Sequence, residues 1–155
     1  MRLSTRARYA LRMMLDVAKN HGEDAPVSLA SVAKRTGLSR GYLEQLAGGL
    51  RAQGLLRGVC GKQGGYFLAR PASEITLRAI IEAVIGPVSI LECLHHPSVC
   101  IQNDLCECQV VYRLINRRIT EVLEEFTLAD LRDPRWLQEM GRAVAQLDQA
   151  PRSTL

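Results

Sequence analysis

Four of the five cysteines lie within sixteen residues, at Cys93, Cys100, Cys106 and Cys108. Thiolates are soft ligands that favour iron–sulfur clusters or zinc, so this crowding predicts a metal site. Residues 93–108, here called the cysteine segment, stand between two stretches with strong helical periodicity. We therefore expect a ligand-bearing loop with a helix on each side.

Composition limits the possible functions. The chain has 155 residues, 47% of them apolar, which suits one ordinary domain or a small domain with an extension. No apolar run approaches the roughly 18 residues that cross a membrane, and the first residues lack the apolar core of a signal peptide. We expect a cytoplasmic protein with no membrane partner, in which cysteines bind metal or undergo redox chemistry more often than they form structural disulfides.

Charge is divided unevenly along the chain. Residues 1–72 carry 12 Lys and Arg against 4 Asp and Glu, whereas residues 73–155 carry 8 against 12. A polyanion would dock on the basic half. A solvated basic face would give the same count, so the inference depends on the helix-turn-helix pattern found in this half.

That pattern begins with helical spacing over 3–19. A second helix opens at Ser28, Gly37 allows a tight turn, and Ser39 can cap a third helix over about 40–53. The first residues of such a helix reach base edges in the major groove. They are Ser39, Arg40, Gly41, Tyr42, Glu44 and Gln45.

Three of these side chains have defined partners on DNA. Gln45 can pair bidentately with adenine, and Arg40 can reach guanine or phosphate. Glu44 either accepts a hydrogen bond from cytosine or repels phosphate and so sets specificity negatively.

Two short apolar runs, 55–59 and 66–68, flank a glycine-rich basic loop and predict a β-hairpin. After a helix-turn-helix, such a hairpin is a wing, and its DNA-binding residues are predicted to be Arg57, Lys62, Gly64 and Gly65. A phosphate-binding nucleotide loop is a weaker interpretation, because neither its sequence nor its strand-to-helix context is present. No nucleophile–base pair or carboxylate pair stands out, which argues against an enzyme.

The second half predicts a helix over 75–85, stopped by Gly86-Pro87, and a long helix over about 106–126. The long helix would span about 30 Å at ~1.5 Å per residue, and its apolar stripe exceeds what packing within the chain covers. This favours a two-fold dimer interface over a core helix. The interface residues are predicted to be Val111, Leu114, Ile115, Ile119 and Val122.

The fold class is therefore mainly α: a winged helix-turn-helix domain with a β-hairpin wing and a long C-terminal dimerisation helix. Three parts are expected: a DNA-binding region at 1–72, a cysteine-segment and dimerisation region at 73–148, and a flexible tail at 149–155. Thr127 to Asp130 resembles a capping box for a final short helix, from which Trp136 and Leu137 pack on the body.

Several motifs together closely resemble the Rrf-two (Rrf2) family of bacterial winged-helix regulators. They are Ser39-Arg-Gly-Tyr-Leu-Glu-Gln45, Gly64-Gly-Tyr-Phe-Leu-Ala-Arg70 and Thr127-Leu-Ala-Asp-Leu131, and the resemblance spans about 1–132. It implies a homodimer with crossing long helices, each subunit presenting a winged helix to half of a palindromic operator in double-stranded DNA.

The resemblance also bears on the cysteines. Cluster-binding members carry three cysteines before the dimer helix, about five to seven residues apart, and Cys93, Cys100 and Cys106 have six and five residues between them. This implies a [2Fe–2S] cluster that senses iron–sulfur status, oxidants or nitric oxide. Zinc, thiol switching or no metal on the same fold are the alternatives; an electron carrier would leave the winged helix unexplained.

The fourth ligand and the wing depart from the family pattern. Gln109 stands where one cluster-binding branch has histidine, and Arg8 stands where another has an acidic residue from the partner subunit. Cys108 is then the natural candidate, since four thiolates complete the usual coordination. The open alternatives are His95, His96, Glu107 or a partner residue. In the wing, Cys60 replaces an arginine, so Lys62 or Arg57 is expected to take over its contact, with Cys60 either a small apolar residue or a redox-active thiol.

Overall fold

The computed structural model describes residues 3–20, 25–61, 63–99 and 106–149. Within them lie six α-helices and one two-stranded antiparallel sheet. The helices are α1 (Thr5–Asn20), α2 (Leu29–Thr36), α3 (Arg40–Ala52), α4 (Leu77–Ile85), α5 (Gln109–Glu125) and α6 (Pro134–Gln149), and the strands are β1 (Leu56–Val59) and β2 (Gly65–Leu68). The predicted fold class, mainly helical with a β-hairpin wing, is confirmed.

The helix-turn-helix comprises α2 and α3, whose ends are fixed by the residues that the sequence indicates. The Ser28 hydroxyl accepts from the backbone N–H of Ser31, and the Ser39 hydroxyl accepts from the N–H of Tyr42. Each serine thereby satisfies a helix donor that has no partner within the helix. Gly37 lies between the two helices with φ of 73°, a conformation that costs glycine little.

The wing is held against the start of α2. Leu56 lies opposite Leu68 in the hairpin, and Val27 pairs with Tyr66 through two backbone hydrogen bonds of 2.9 Å. A Cβ at Gly65 would collide with the Val27 backbone, so this close approach requires glycine. The pairing fixes the wing beside α3.

One apolar core joins α1 to α4. Its largest fully buried side chains are Met13, Met14, Leu43, Leu46, Leu50, Leu55, Ile75, Ile80, Ile81 and Leu128. Leu128 reaches this core from beyond α5, where its N–H donates to the Ile75 carbonyl at 2.8 Å. Residues past position 72 thus complete the packing of the winged helix.

Three boundaries differ from the sequence-based expectations. The long helix begins at Gln109 rather than near 106 because the Gln109 N–H closes a turn on the Cys106 carbonyl. The reciprocal bonds of the Thr127–Asp130 box form, but a short 3-10 turn at Asp130–Arg132 follows them rather than the last helix. The last helix starts at Pro134, a favoured residue at the first helical position, and is 16 residues long rather than short.

The C-terminal helix is only lightly attached to the body. Trp136 packs edge-on against Phe126 with ring centroids 5.3 Å apart, as expected of a residue that folds back. Leu137 remains 42% exposed, so its predicted packing is wrong. No helix in the described ranges combines the length and apolar content that a membrane crossing needs.

Candidate nucleic-acid interface and metal centre

The outward side of α3 presents the predicted base-reading residues. Arg40, Gly41, Glu44 and Gln45 are all exposed. The Arg40 Nε donates to Glu44 Oε1 at 3.0 Å, one helical turn away. An exposed ion pair of this kind contributes little stability, so its main effect is to orient the Arg40 guanidinium. Arg40 and Glu44 therefore act on a ligand as one unit.

Tyr42 and Ser39 have structural partners at the start of the same helix. The Tyr42 ring is half-buried and meets Tyr9 of α1 edge-on, with centroids 5.8 Å apart. Ser39 caps α3. Both residues hold α3 in place whatever they contact on DNA, and their predicted DNA contacts stay predictions.

A groove of about 670 Å³ separates α3 from the wing. It is defined here as the reading groove, and its lining includes Ser28, Arg40, Glu44, Cys60, Gly64, Gly65 and Tyr66. The structure thus brings the two glycines of the wing beside the Arg40–Glu44 pair. Arg57 lines a different groove with Arg51, and its guanidinium lies 5.1 Å from the Phe67 ring centroid. Lys62 lies outside the described residues.

Three of the four clustered cysteines lie among the described residues. Cys93 lies in a 3-10 turn at the start of the cysteine segment, while Cys106 and Cys108, at its end, directly precede α5. The pKa of Tyr112 is raised, first by the charge of Cys108 and its hydrogen bond, and more weakly by the charges of Cys106 and Cys93. The 3-10 turn that contains Cys93 also lies against α5, so both ends of the cysteine segment are next to the same helix. Cys100 lies outside the described residues.

The candidate ligands suit an iron–sulfur cluster better than a single metal ion. Among the described residues, no three His, Cys, Asp or Glu side chains are close enough to hold one ion. A [2Fe–2S] cluster needs only two protein ligands on each of its two irons, so donors spread over a wider site suit it. Thiols converging from both ends of the segment fit such a group in ligand type.

The remaining candidate ligands have exposed side chains. His95, His96 and Glu107 are exposed. The His95 ring nitrogen Nε2 lies 3.5 Å from the Val88 carbonyl oxygen, a contact that points it toward backbone. Arg8 is exposed on α1, with its guanidinium 5.9 Å from the Tyr9 ring centroid.

The start of the cysteine segment is held by two side chains that the sequence reasoning missed. Glu82 of α4 accepts from the Val88 N–H at 3.1 Å. Asn116 of α5 accepts from the Ile90 N–H at 2.9 Å, and its amide nitrogen lies 3.4 Å from the Val88 oxygen. A weak helix former inside a long helix was the available signal for Asn116. No feature of the sequence indicated the bond between Glu82 and the Val88 backbone.

The predicted dimerisation residues share an uncovered surface. No residue of α5 is buried, and Val111, Leu114 and Val122 are 55%, 54% and 48% exposed. Ile115 is also exposed, and Ile119 is half-buried. Large apolar side chains in one row on a helix indicate a surface that another molecule covers.

Comparison with known proteins agrees with this arrangement. The model of the Rrf2 family, described as an iron-dependent transcriptional regulator, matches residues 3–134. The HTH-type transcriptional regulator IscR of Yersinia enterocolitica is 42% identical over 131 residues, which cover 84% of this chain and 79% of that protein.

Two solved structures share the fold. CymR, the global cysteine regulator of B. subtilis, is 38% identical with a TM-score of 0.71, covering 85% of this chain and 96% of that one. T. potens IscR is 34% identical with a TM-score of 0.66, covering 99% of this chain and 94% of that one. With its winged helix, its exposed long helix and these matches, the chain belongs to the Rrf2 family of transcriptional regulators.

Proposed function

We propose that this regulator is a homodimer that binds a palindromic operator and senses iron–sulfur status, oxidants or nitric oxide through a [2Fe–2S] cluster. Cys93, Cys100 and Cys106 would hold the cluster, with Cys108 as the fourth ligand. The observation that carries the proposal is that the 3-10 turn containing Cys93 lies against α5, the helix that Cys106 and Cys108 directly precede. The family model's description as iron-dependent supports it.

DNA reading is assigned to the reading groove and the exposed start of α3. Gln45 is exposed where it can pair with adenine, and the Arg40–Glu44 unit faces the groove beside the wing. Arg57 and Lys62 are assigned to phosphate or the minor groove. Two such winged helices related by a two-fold axis would read two half-sites.

Dimerisation is assigned to the apolar row of α5. Leaving Val111, Leu114 and Val122 in water forgoes the hydrophobic gain of burying them, roughly 1.5–3 kcal/mol for each such side chain. A second copy offers the same row, so a two-fold pairing of α5 with α5 covers both at once. The partner is thus a second copy of this chain.

Sensing follows from what the chain's own residues would do. When bound, the cluster would supply the reactivity toward oxygen and nitric oxide. The cysteines that hold it would connect the two ends of the cysteine segment to each other and to the start of α5. The residues before the segment are bonded to α4, and α4 packs against α3. A change in the order of the segment would then change the free energy of the DNA-binding conformation relative to the other conformations of the protein. A sensor shifts a conformational equilibrium only through such a free-energy difference.

The decisive experiment is purification without oxygen. We expect visible absorbance and about two irons per subunit, as the [2Fe–2S] stoichiometry requires. Cys93→Ser and Cys106→Ser should lose both signals, whereas the matched variant Cys60→Ser, whose thiol lies in the wing, should keep them. Binding of each preparation to a palindromic duplex should show a steep salt dependence. A colourless, iron-free wild-type protein would contradict the cluster, and zinc in its place would favour the structural-metal alternative.

A further inference from the structure

Asn116 closes a ring around the whole cysteine segment. It lies two turns into α5, and its side chain bonds to the backbone of Val88 and Ile90, which precede Cys93. The 25 residues between Ile90 and Asn116 contain all four clustered cysteines. One side chain therefore joins the two chain ends from which the candidate ligands emerge.

The bonding of Asn116 is specific to backbone. Its Oδ1 accepts from the Ile90 N–H at 2.9 Å, and its Nδ2 lies 3.4 Å from the Val88 carbonyl. A side-chain amide offers a donor and an acceptor on neighbouring atoms, so it can bind the backbone N–H of one residue and the carbonyl of another nearby. A leucine there would leave the Ile90 N–H without this partner.

Tying the ends of a loop lowers the entropy lost when residues inside it become ordered. In a free segment of this length, bringing the two ends together costs conformational entropy each time the ligands approach one another. The Asn116 bonds make that closure part of the folded protein, before any group binds. The contact between the 3-10 turn that contains Cys93 and helix α5 is consistent with such a closure.

The same backbone is also joined to the DNA-reading domain. Val88 donates to Glu82 of α4, and Glu82 Oε1 accepts from Arg78 at 3.1 Å. The next residue of α4, Ala83, has its carbonyl against Gly49 of α3, where a Cβ would be 2.6 Å from the oxygen. Residues 88–90 are thus connected through α4 to the side of α3 that carries Gly49.

We propose that Asn116 is a positioning residue: it fixes the start of the cysteine segment against α5 and so pre-forms the ligand arrangement, with Glu82 connecting that position to α3. The role rests on the proposed function, in which the segment holds the sensing group. Asn116 itself ligates nothing.

The test compares Asn116→Ala and Asn116→Asp with the matched control Thr120→Val. Thr120 lies one turn further along α5, and its hydroxyl bonds only to carbonyls of its own helix, Asn116 O and Arg117 O. Aspartate keeps the acceptor for the Ile90 N–H and loses the donor to Val88. The readouts are amide exchange at Ile90 and Val88 in the metal-free protein, thermal unfolding of the same protein, and iron release from anaerobically prepared samples.

In the metal-free protein, the Ile90 amide of Asn116→Ala should exchange its hydrogen roughly tenfold faster than in the wild type. The reason is that the loss of one hydrogen bond changes the opening equilibrium by about a factor of ten. The Val88 amide, bonded to Glu82, should change less. Iron release should accelerate by a similar factor, Asn116→Asp should fall between Ala and wild type, and Thr120→Val should match wild type in both. Equal Ile90 exchange in wild type and Asn116→Ala would overturn the positioning role, as would an iron-release rate that follows only the thermal midpoint.

The two proposals fail separately. If the wild-type protein holds no iron, the cluster proposal fails, and Ile90 exchange in the metal-free variants still decides the positioning of the segment. If iron is bound but Asn116→Ala releases it at the wild-type rate, the cluster stands and the positioning role is wrong.

Discussion

The two halves of the molecule differ in how they treat apolar side chains. The buried apolar residues of the described chain lie between Ala7 and Val84, with Leu128 as the exception. Helices α5 and α6 contain no buried residue, although both carry apolar rows. The reading half, which comprises α1 to α4 and the wing, therefore has a core made within one chain, whereas the half that contains α5 and α6 leaves its apolar rows exposed.

The polar side of α5 sharpens this contrast. Arg117 donates to Glu121 at 2.6 Å, with Arg118 nearby at 3.4 Å. The hydrogen bond from Arg117 is the main cause of the lowered pKa of Glu121. The charged side chains of this face thus pair with one another in water, whereas the apolar row of the same helix is exposed.

Leu46→Ala should give the largest effect, because Leu46 is fully buried between α3 and its neighbours. Removing a buried leucine side chain costs roughly 2–5 kcal/mol of unfolding free energy. Urea unfolding followed by circular dichroism would measure it, and the loss should be the same at low and high protein concentration. A loss that grows on dilution would mean that the core of the reading half also depends on the partner.

Leu114→Glu changes an exposed leucine in the apolar row of α5, in contrast to the buried Leu46. It should leave the winged helix folded and raise the dimer dissociation constant at least about thirtyfold, or ~2 kcal/mol, because a charge replaces a central apolar contact. Sedimentation at several concentrations would measure this. The adjacent exposed Arg113→Glu is the matched control and should leave the dimer intact. A monomeric wild type, or a Leu114→Glu dimer of wild-type affinity, would remove the apolar row of α5 from the interface.

Much of the reading half could be predicted from sequence because its signals are local. Ser28 and Ser39 cap the helices that they precede, and helical spacing identifies the buried Leu43 and Leu46. The length of the last helix differs from the prediction because the capping box is followed by a separate 3-10 turn, and the helix begins only at Pro134. A capping motif shows that a turn begins but not how long the next helix runs.

The candidate site was predictable only in its ligand types. Cysteine spacing indicates the donors, but the bonds from Asn116 and Glu82 to residues 88–90 depend on how α4 and α5 pack. No pattern along the chain contains that information. In the wing, Arg57 has the charge expected of a phosphate contact, yet its position over Phe67 is set by strand register.

The smallest expected effect concerns the junction of the two halves, where Thr127 and Asp130 precede α6 and Leu128 enters the core. The Thr127 hydroxyl donates to Asp130 Oδ2 at 2.7 Å and its N–H at 2.8 Å, and these bonds lower the Asp130 pKa. A depressed folded-state pKa adds stability above the unfolded value near 3.9, and that stability is lost as pH falls through the folded pKa.

Thr127→Val removes both bonds of the hydroxyl, the one donated to Asp130 Oδ2 and the one accepted from the Asp130 N–H, and keeps the bond from the Thr127 N–H. It should cost about 1 kcal/mol near pH 7, as the loss of a capping hydroxyl does, and progressively less as the pH falls below about 4 and through the lowered pKa at which Asp130 becomes protonated in the folded protein. Urea midpoints from pH 3 to pH 7 would measure the difference, with Thr120→Val as a control that lacks a carboxylate partner. A constant difference across this range would show that Thr127 acts through packing or its bond from the Asp130 N–H, and not through the carboxylate. A difference that narrows toward low pH would show that the carboxylate bond helps to hold the C-terminal region on the reading half.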